Sequence, residues 1–407
     1  MPQTSAIPRE LDYVLLLFAL FVVPRILQRH RLPTAITSVA LGVAAGLGLG
    51  LFAQDRTVGL LATLGIVSLF LFAGLEVDFG ELRREASVLL QHIAIGVAAL
   101  LVVAIAVHSV LGLVWRPATL VALALLTPST GFILDSLASL HLTDVERFWI
   151  KSKAVGTELV ALAVLFVTLQ STTLGGLSRS TLVLAAMVVI LPVAFRVFAL
   201  RIVPYAPKSE FAFLLMVAVL CAFVTRRLGV YYLVGAFIVG ITAQRFRERL
   251  PAIASEQMLH AVEVFASFFI PFYFFNVGLH LHREDFGAEA LLVGGAFLVT
   301  MIPLRIAQVA FHRRLVLGEP LRKGGRIGVS MLPTLVFTLV IAEILLDRFG
   351  ITRSVFGGLV IYALGSTLIP GFALRLPPSD PHVWHQSGAA VQADTDRPEE
   401  PSPRNST

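Results

Sequence analysis

Residues 93–107 read IAIGVAALLVVAIAV, and residues 60–75 read LLATLGIVSLFLFAGL. Neither stretch carries a charge, and each approaches the ~20 apolar residues that cross ~30 Å of hydrocarbon. Similar runs recur along the 407 residues, of which 57% are hydrophobic and 14% charged, with a mean hydropathy of +0.84. A water-exposed surface cannot be made from that composition, so soluble folds are excluded. The expected fold is an all-α polytopic membrane protein. Working outward, apolar length and polar punctuation place thirteen spans, near 11–27, 33–51, 58–75, 89–114, 117–138, 150–170, 180–200, 209–226, 229–243, 257–281, 289–312, 324–346 and 353–376. The first run breaks at Pro24-Arg25 without a small-residue cleavage site and reads as a retained helix. The segment 378–407 is rich in Pro, Ser, Asp and Glu and reads as a disordered tail.

The net charge of +6 comes from basic residues in short loops between apolar runs. That placement points to lipid headgroups, not nucleic acid. Arg29, Arg31, Arg83, Arg84, Arg147, Lys151, Lys153, Arg201, Lys208, Arg245, Arg247, Arg249, Arg313, Arg314, Arg322 and Lys323 fall in odd-numbered loops, which hold more such charges than the even loops. Odd loops are therefore expected in the cytoplasm, with the amino terminus outside and the carboxyl terminus inside. The single cysteine, Cys221, lies in an apolar run and excludes an intramolecular disulfide. No P-loop or HExxH occurs, and the ten histidines show no metal-ligand spacing. Neither a cofactor nor a bound metal is expected, nor is enzymatic chemistry. Gly42 and Gly46 form a GxxxG spacing suited to close helix packing.

A weak repeat relates the third span to the tenth and the fifth to the twelfth. Gly74-Leu75-Glu76-Val77 matches Gly278-Leu279-His280-Leu281, and Pro128-Ser129-Thr130 meets Pro333-Thr334. Copies seven spans apart run in opposite senses, which makes an inverted repeat of the kind found in secondary transporters. Proline removes a backbone hydrogen bond and clashes with the preceding turn. Spans five and twelve are thus expected to be discontinuous and crossed, with half-helix ends at mid-depth. A simple kink is the alternative reading.

Glu158 lies roughly 12 Å along span six from its cytoplasmic end, and Arg305 roughly 10 Å from that end of span eleven, at 1.5 Å per residue. A carboxylate at that depth must pair, protonate or bind a cation. It is read either as functional or as half of an ion pair with Arg305. Asp135, two turns beyond Pro128, is a candidate for an ion funnel.

The segments FLFAGLEVDFGELRR (70–84), LLTPSTGFILDSL, KAVGTELVALAVL and PFYFFNVGLHL together resemble the monovalent cation:proton antiporters, in particular their second bacterial subfamily, over about residues 11–376. That family carries an acidic pair on the equivalent of span six, where this chain has Thr157-Glu158, and a basic residue at the place of Arg305. The resemblance implies a core (86–200 and 286–377) moving against a dimerising scaffold (1–85 and 201–285), elevator fashion, in the cell membrane. The nucleotide-sensing domain of some relatives is not expected. With H⁺ and Na⁺ or K⁺ as partners, Glu158 would hold either a proton or the cation. Thr157, Ser129 and Thr130 would complete the cation's shell, and Arg305 would compensate half-helix charge. A single acid implies one-for-one, electroneutral exchange in a homodimer. A passive cation channel and a bile-acid-like organic-anion symporter are the alternatives.

Overall fold

Asp55 accepts hydrogen bonds from the backbone N–H groups of Thr57 and Val58 and thereby starts a helix at Arg56. Its twenty residues contain no further charge, and most of one side is buried. The whole chain is built from such units. A computed structural model describes residues 9–374, except 31, 53, 78–79, 81–82, 84–85, 131–132, 134–143, 172–173, 207–208, 230–231 and 250–255. All regular elements among the described residues are helical. In order they are α1 (Arg9–Gln28), α2 (Thr34–Val43, continued by a π turn over Ala44–Gly48), α3 (Arg56–Leu75), α4 (Ala86–Leu111), α5 (Trp115–Leu126), α6 (Asp144–Gln170) and α7 (Leu174–Arg201). Then follow α8 (Glu210–Arg227), α9 (Tyr232–Arg249), α10 (Glu256–Leu279), a short 3₁₀ turn (Arg283–Phe286), α11 (Ala288–Leu317), α12 (Leu321–Ser330), α13 (Leu335–Phe349) and α14 (Arg353–Ala373).

The apolar stretches expected from sequence overlap these helices, the twelfth being divided between α12 and α13, while α5 covers only the first half of the fifth and most of the remainder lies outside the described residues. Among the described residues seven helices are long and apolar enough to cross a bilayer, and eight if α12 and α13, bent by 54°, are taken as one span. The chain is a multi-pass membrane protein. In α4, α7 and α11 only 22% of the apolar window is buried, against 61% in α3 and α14, so the first three present most of their surface to lipid. Side chains such as Leu101, Val189 and Leu292 are exposed there.

Helices associate in two groups. α3 packs on α9 and α10, and α2 on α10, while α11 packs on α12 and α14, and α5 on α4 and α13. Small residues permit the close approaches, because in lipid van der Waals packing must replace the hydrophobic drive. Gly74 lies against Gly240 where α3 meets α9, and Gly42 against Gly278 where α2 meets α10. Gly46, one turn beyond Gly42, also faces the α10 backbone at Leu279, in keeping with the GxxxG spacing. Between the groups, Phe70 of α3 meets Phe337 of α13 edge-on, with ring centroids 6.0 Å apart. Cys221 is buried.

Candidate functional site

α5 ends at Leu126, and Thr127 already has the extended conformation (φ −78°, ψ 118°) that a residue before proline favours. Helical bonding resumes only where Ile133 N–H reaches Ser129 O. The second break, between α12 and α13, spans Met331 to Thr334. The two breaks touch, because Ser129 N–H donates to Pro333 O at 2.7 Å. Further bonds fix them together. Thr338 donates to Ala124 O and Tyr362 to Leu125 O, each at 2.7 Å, and Thr334 meets Ser366 at 3.0 Å. Thr127, Ser129, Thr130 and Thr334 are all buried, and the Thr127 hydroxyl donates to Leu123 O at 2.7 Å.

Glu158 projects from α6 into this junction, with 4% of its surface exposed. It accepts a short hydrogen bond from the Thr130 hydroxyl and has no ion-pair partner among the described residues. Arg305 takes a different role. Its two terminal nitrogens donate to Leu332 O and Met331 O, each at 2.7 Å, and one also reaches the Tyr362 hydroxyl at 3.2 Å. The guanidinium therefore sits on the carbonyl end of α12, where a cation is stabilised by the helix dipole. Thr157, next to Glu158, turns its hydroxyl to Lys153 O at 2.8 Å. Asp135 lies outside the described residues.

A cavity of about 70 Å³ opens beside the junction, lined by His92, Thr127, Pro128, Thr157, Arg305 and Gln308 among others. At roughly 10–15 Å³ per water it has room for several water molecules, and these side chains offer them polar partners. At the carboxyl-terminal end of α6, Arg116 donates to Thr168 O and Leu169 O, which ties that helix to the start of α5.

Sequence reasoning placed Lys153 and Arg313 among loop charges, but each is only 1% exposed. α6 begins at Asp144 and α11 runs on to Leu317, so both residues belong to helices. Arg313 is held by Glu319 at 2.7 Å, and Glu319 also meets Lys323 at 3.3 Å. Burial alone would push the Glu319 carboxyl up. The Arg313 hydrogen bond and charge, with Lys323, outweigh it and hold the group below the usual carboxylate range. Lys153 lies 3.0 Å from Nδ1 of His312. His92, whose ring is 5.7 Å from that of His312, approaches Thr157 at 3.4 Å. No sequence signal marked the two histidines, since each stands alone in an apolar helix.

A family model described as sodium/hydrogen exchanger, transmembrane, matches residues 15–377. The chain is similar to the probable Na(+)/H(+) antiporter 3 of Methanocaldococcus jannaschii, with 25% identity over 346 residues, covering 82% of this chain and 87% of that protein. It is also similar to the Na(+)/H(+) antiporter NhaS5 of Synechocystis sp., with 26% identity over 318 residues, covering 74% of this chain but only 42% of that longer protein. Among solved structures, the sodium proton antiporter MjNhaP1 from Methanocaldococcus jannaschii at pH 8 shares the fold, with a TM-score of 0.65 at 13% identity over 91% of this chain and 96% of that one. Because the family model matches nearly the whole membrane region, the chain belongs to the transmembrane sodium/hydrogen exchanger family.

Proposed function

We propose that the cation/proton exchange implied by this family takes place at Glu158. The observation that carries the reading is a buried carboxylate, bonded to a hydroxyl and free of any ion pair among the described residues, at the meeting point of two interrupted helices. A bare carboxylate is too costly to move through a low-dielectric barrier, so Glu158 crosses only with a proton or a cation on it. Oxygens of Thr130, Ser129, Thr157 and the unwound backbone complete the shell of a hard monovalent ion, Na⁺ or K⁺. Arg305 compensates the α12 carbonyls and leaves Glu158 free to exchange. One acid carrying one charge gives one-for-one, electroneutral turnover.

In this reading thirteen spans form an inverted repeat whose two interrupted helices cross. Residues 86–200 and 286–377 move as the core against a dimerising scaffold of 1–85 and 201–285, carrying the site between the two sides of the cell membrane. The amino terminus lies outside. The corresponding glycine contacts, Gly74 with Gly240 and Gly42 with Gly278, support the repeat. The test is dissipation of an imposed pH gradient in proteoliposomes, with Na⁺ and K⁺ added in turn. Either cation should restore the fluorescence of a quenched pH dye without a net current. Unitary currents, or a gradient indifferent to both ions, would rule the proposal out in favour of a channel or an organic-anion symporter.

A further inference from the structure

The buried histidines acquire a role once their hydrogen bonds are accounted for. Thr157 spends its one proton on Lys153 O, so at the contact between Thr157 Oγ1 and His92 Nε2 the ring must be the donor. A neutral imidazole has one ring proton, and with it on Nε2 the Nδ1 of His92 is a bare acceptor. That atom is buried and has no partner among the described residues. On the other ring, Lys153 presents an ammonium, which has donors only, to His312 Nδ1. His312 therefore carries its proton on Nε2, and this atom too is buried without a partner. The result is one idle acceptor and one idle donor on facing rings whose centroids are 5.7 Å apart and whose planes are tilted by 38°.

Leaving two ring nitrogens unsatisfied in a buried site is costly, and native structures avoid it unless the groups have a use. Here the complementary pair connects Lys153, which contacts His312, with the cavity beside Thr157, which His92 lines. We propose that Lys153, His312 and His92 form a proton relay that supplies Glu158. The proposal rests on Glu158 as the exchange site and adds the route its proton takes. Lys153 gives a proton from Nζ to His312 Nδ1, His312 releases the one on Nε2 to His92 Nδ1, and His92 releases the one on Nε2 toward Thr157, which lines the cavity and precedes Glu158 in the chain, so that the carboxylate is the acceptor at the end of the path. Each transfer breaks one N–H bond and forms one new bond to hydrogen. Lys153 regains its proton from the side where α6 begins, which the Arg and Lys distribution assigns to the cytoplasm. The reverse sequence carries protons outward.

Among the described residues, the charged groups that act on the relay are Arg313 on α11 and Glu319 just before α12, and Arg305 lines the same cavity as His92. Arg305 is engaged by backbone carbonyls and Arg313 by Glu319 through Nε, while Nη1 of Arg313 is a further buried donor without a hydrogen-bond partner among the described residues.

The experiment compares two transport modes in proteoliposomes holding wild-type protein, His92→Gln, His312→Gln or the double variant. Proton-coupled turnover is read at saturating Na⁺ across pH, and ²²Na⁺/Na⁺ exchange is read without a pH gradient. Loss of the relay should slow proton-coupled turnover about a hundredfold, with no change in the Na⁺ concentration giving half-maximal rate. The loss should be confined to the proton-coupled mode and should be reversed by added imidazole. Wild-type turnover in the double variant would overturn the relay. So would parallel loss of both modes without imidazole rescue, since that marks a merely structural pair. Failure of Glu158 as the site shows separately, as proton-coupled exchange persisting in Glu158→Gln.

Discussion

At the residue scale, the site depends on side chains that satisfy one another and leave one carboxylate available. The Thr130 hydroxyl is the partner that Glu158 has, and a hydrogen bond to a charged group contributes about 1.5–3 kcal/mol. Thr130→Val should therefore weaken apparent cation affinity by about tenfold or more, and Thr130→Ser should recover most of it, as read from the cation dependence of gradient dissipation. Arg305→Ala strips the carbonyls of Met331 and Leu332 of their donor in a buried setting, at about 1–3 kcal/mol each. A lowered unfolding temperature in detergent, together with loss of transport, is expected. For Glu319 the sign follows from its depressed pKa: the stabilisation is present above the unfolded carboxylate pKa and disappears as pH falls through the lower folded value. Glu319→Gln should then unfold earlier than wild type at pH ~7, and the gap should close in acid well below pH ~4. A gap that widened in acid would contradict the assignment.

At the scale of elements, proline does not by itself interrupt a helix in this chain. Pro24, Pro192, Pro271, Pro303 and Pro370 all lie inside continuous helices. The breaks at Pro128 and Pro333 persist because freed backbone groups there find partners across the junction, as Ser129 N–H does with Pro333 O. The hydroxyl-rich segments around those two prolines made both breaks legible in the sequence. What could not be read was that Tyr362 and Thr338, far along the chain, would bind the α5 carbonyls. The cluster of His92, Lys153 and His312 was hidden for the same reason: its members lie on three helices, and no short spacing announces them. Helix ends were also underestimated, since a buried Arg313 becomes tolerable only when Glu319 folds back on it. The glycine contacts are the clearest test of packing. Gly240→Val or Gly278→Val would drive a side chain into facing backbone, at Leu71 and Val39 respectively, and overpacking of this kind costs about 1–3 kcal/mol. Both variants should show lowered thermal stability, whereas Gly48→Ala, where nothing lies within reach of an added Cβ, should not.

At the scale of the whole molecule, composition sufficed for the fold class, because 57% hydrophobic residues leave no soluble alternative. The family and the helical fold agree with that reading. The proposed movement of the core against the scaffold predicts that exposure of the cavity changes during the cycle. In a Cys221→Ala background, Gln308→Cys lines that cavity and should react with an impermeant thiol reagent at a rate that shifts with Na⁺ and pH. Unchanged labelling would count against the motion. The central claim, that Glu158 alternates between a proton and a cation, meets its most direct test in Glu158→Gln, which keeps an acceptor for Thr130 but cannot ionise. In proteoliposomes the variant should be folded, with a melting temperature close to wild type, and should show no cation-driven dissipation of a pH gradient. Folded Glu158→Gln that still exchanged protons for Na⁺ or K⁺ at the wild-type rate would contradict it.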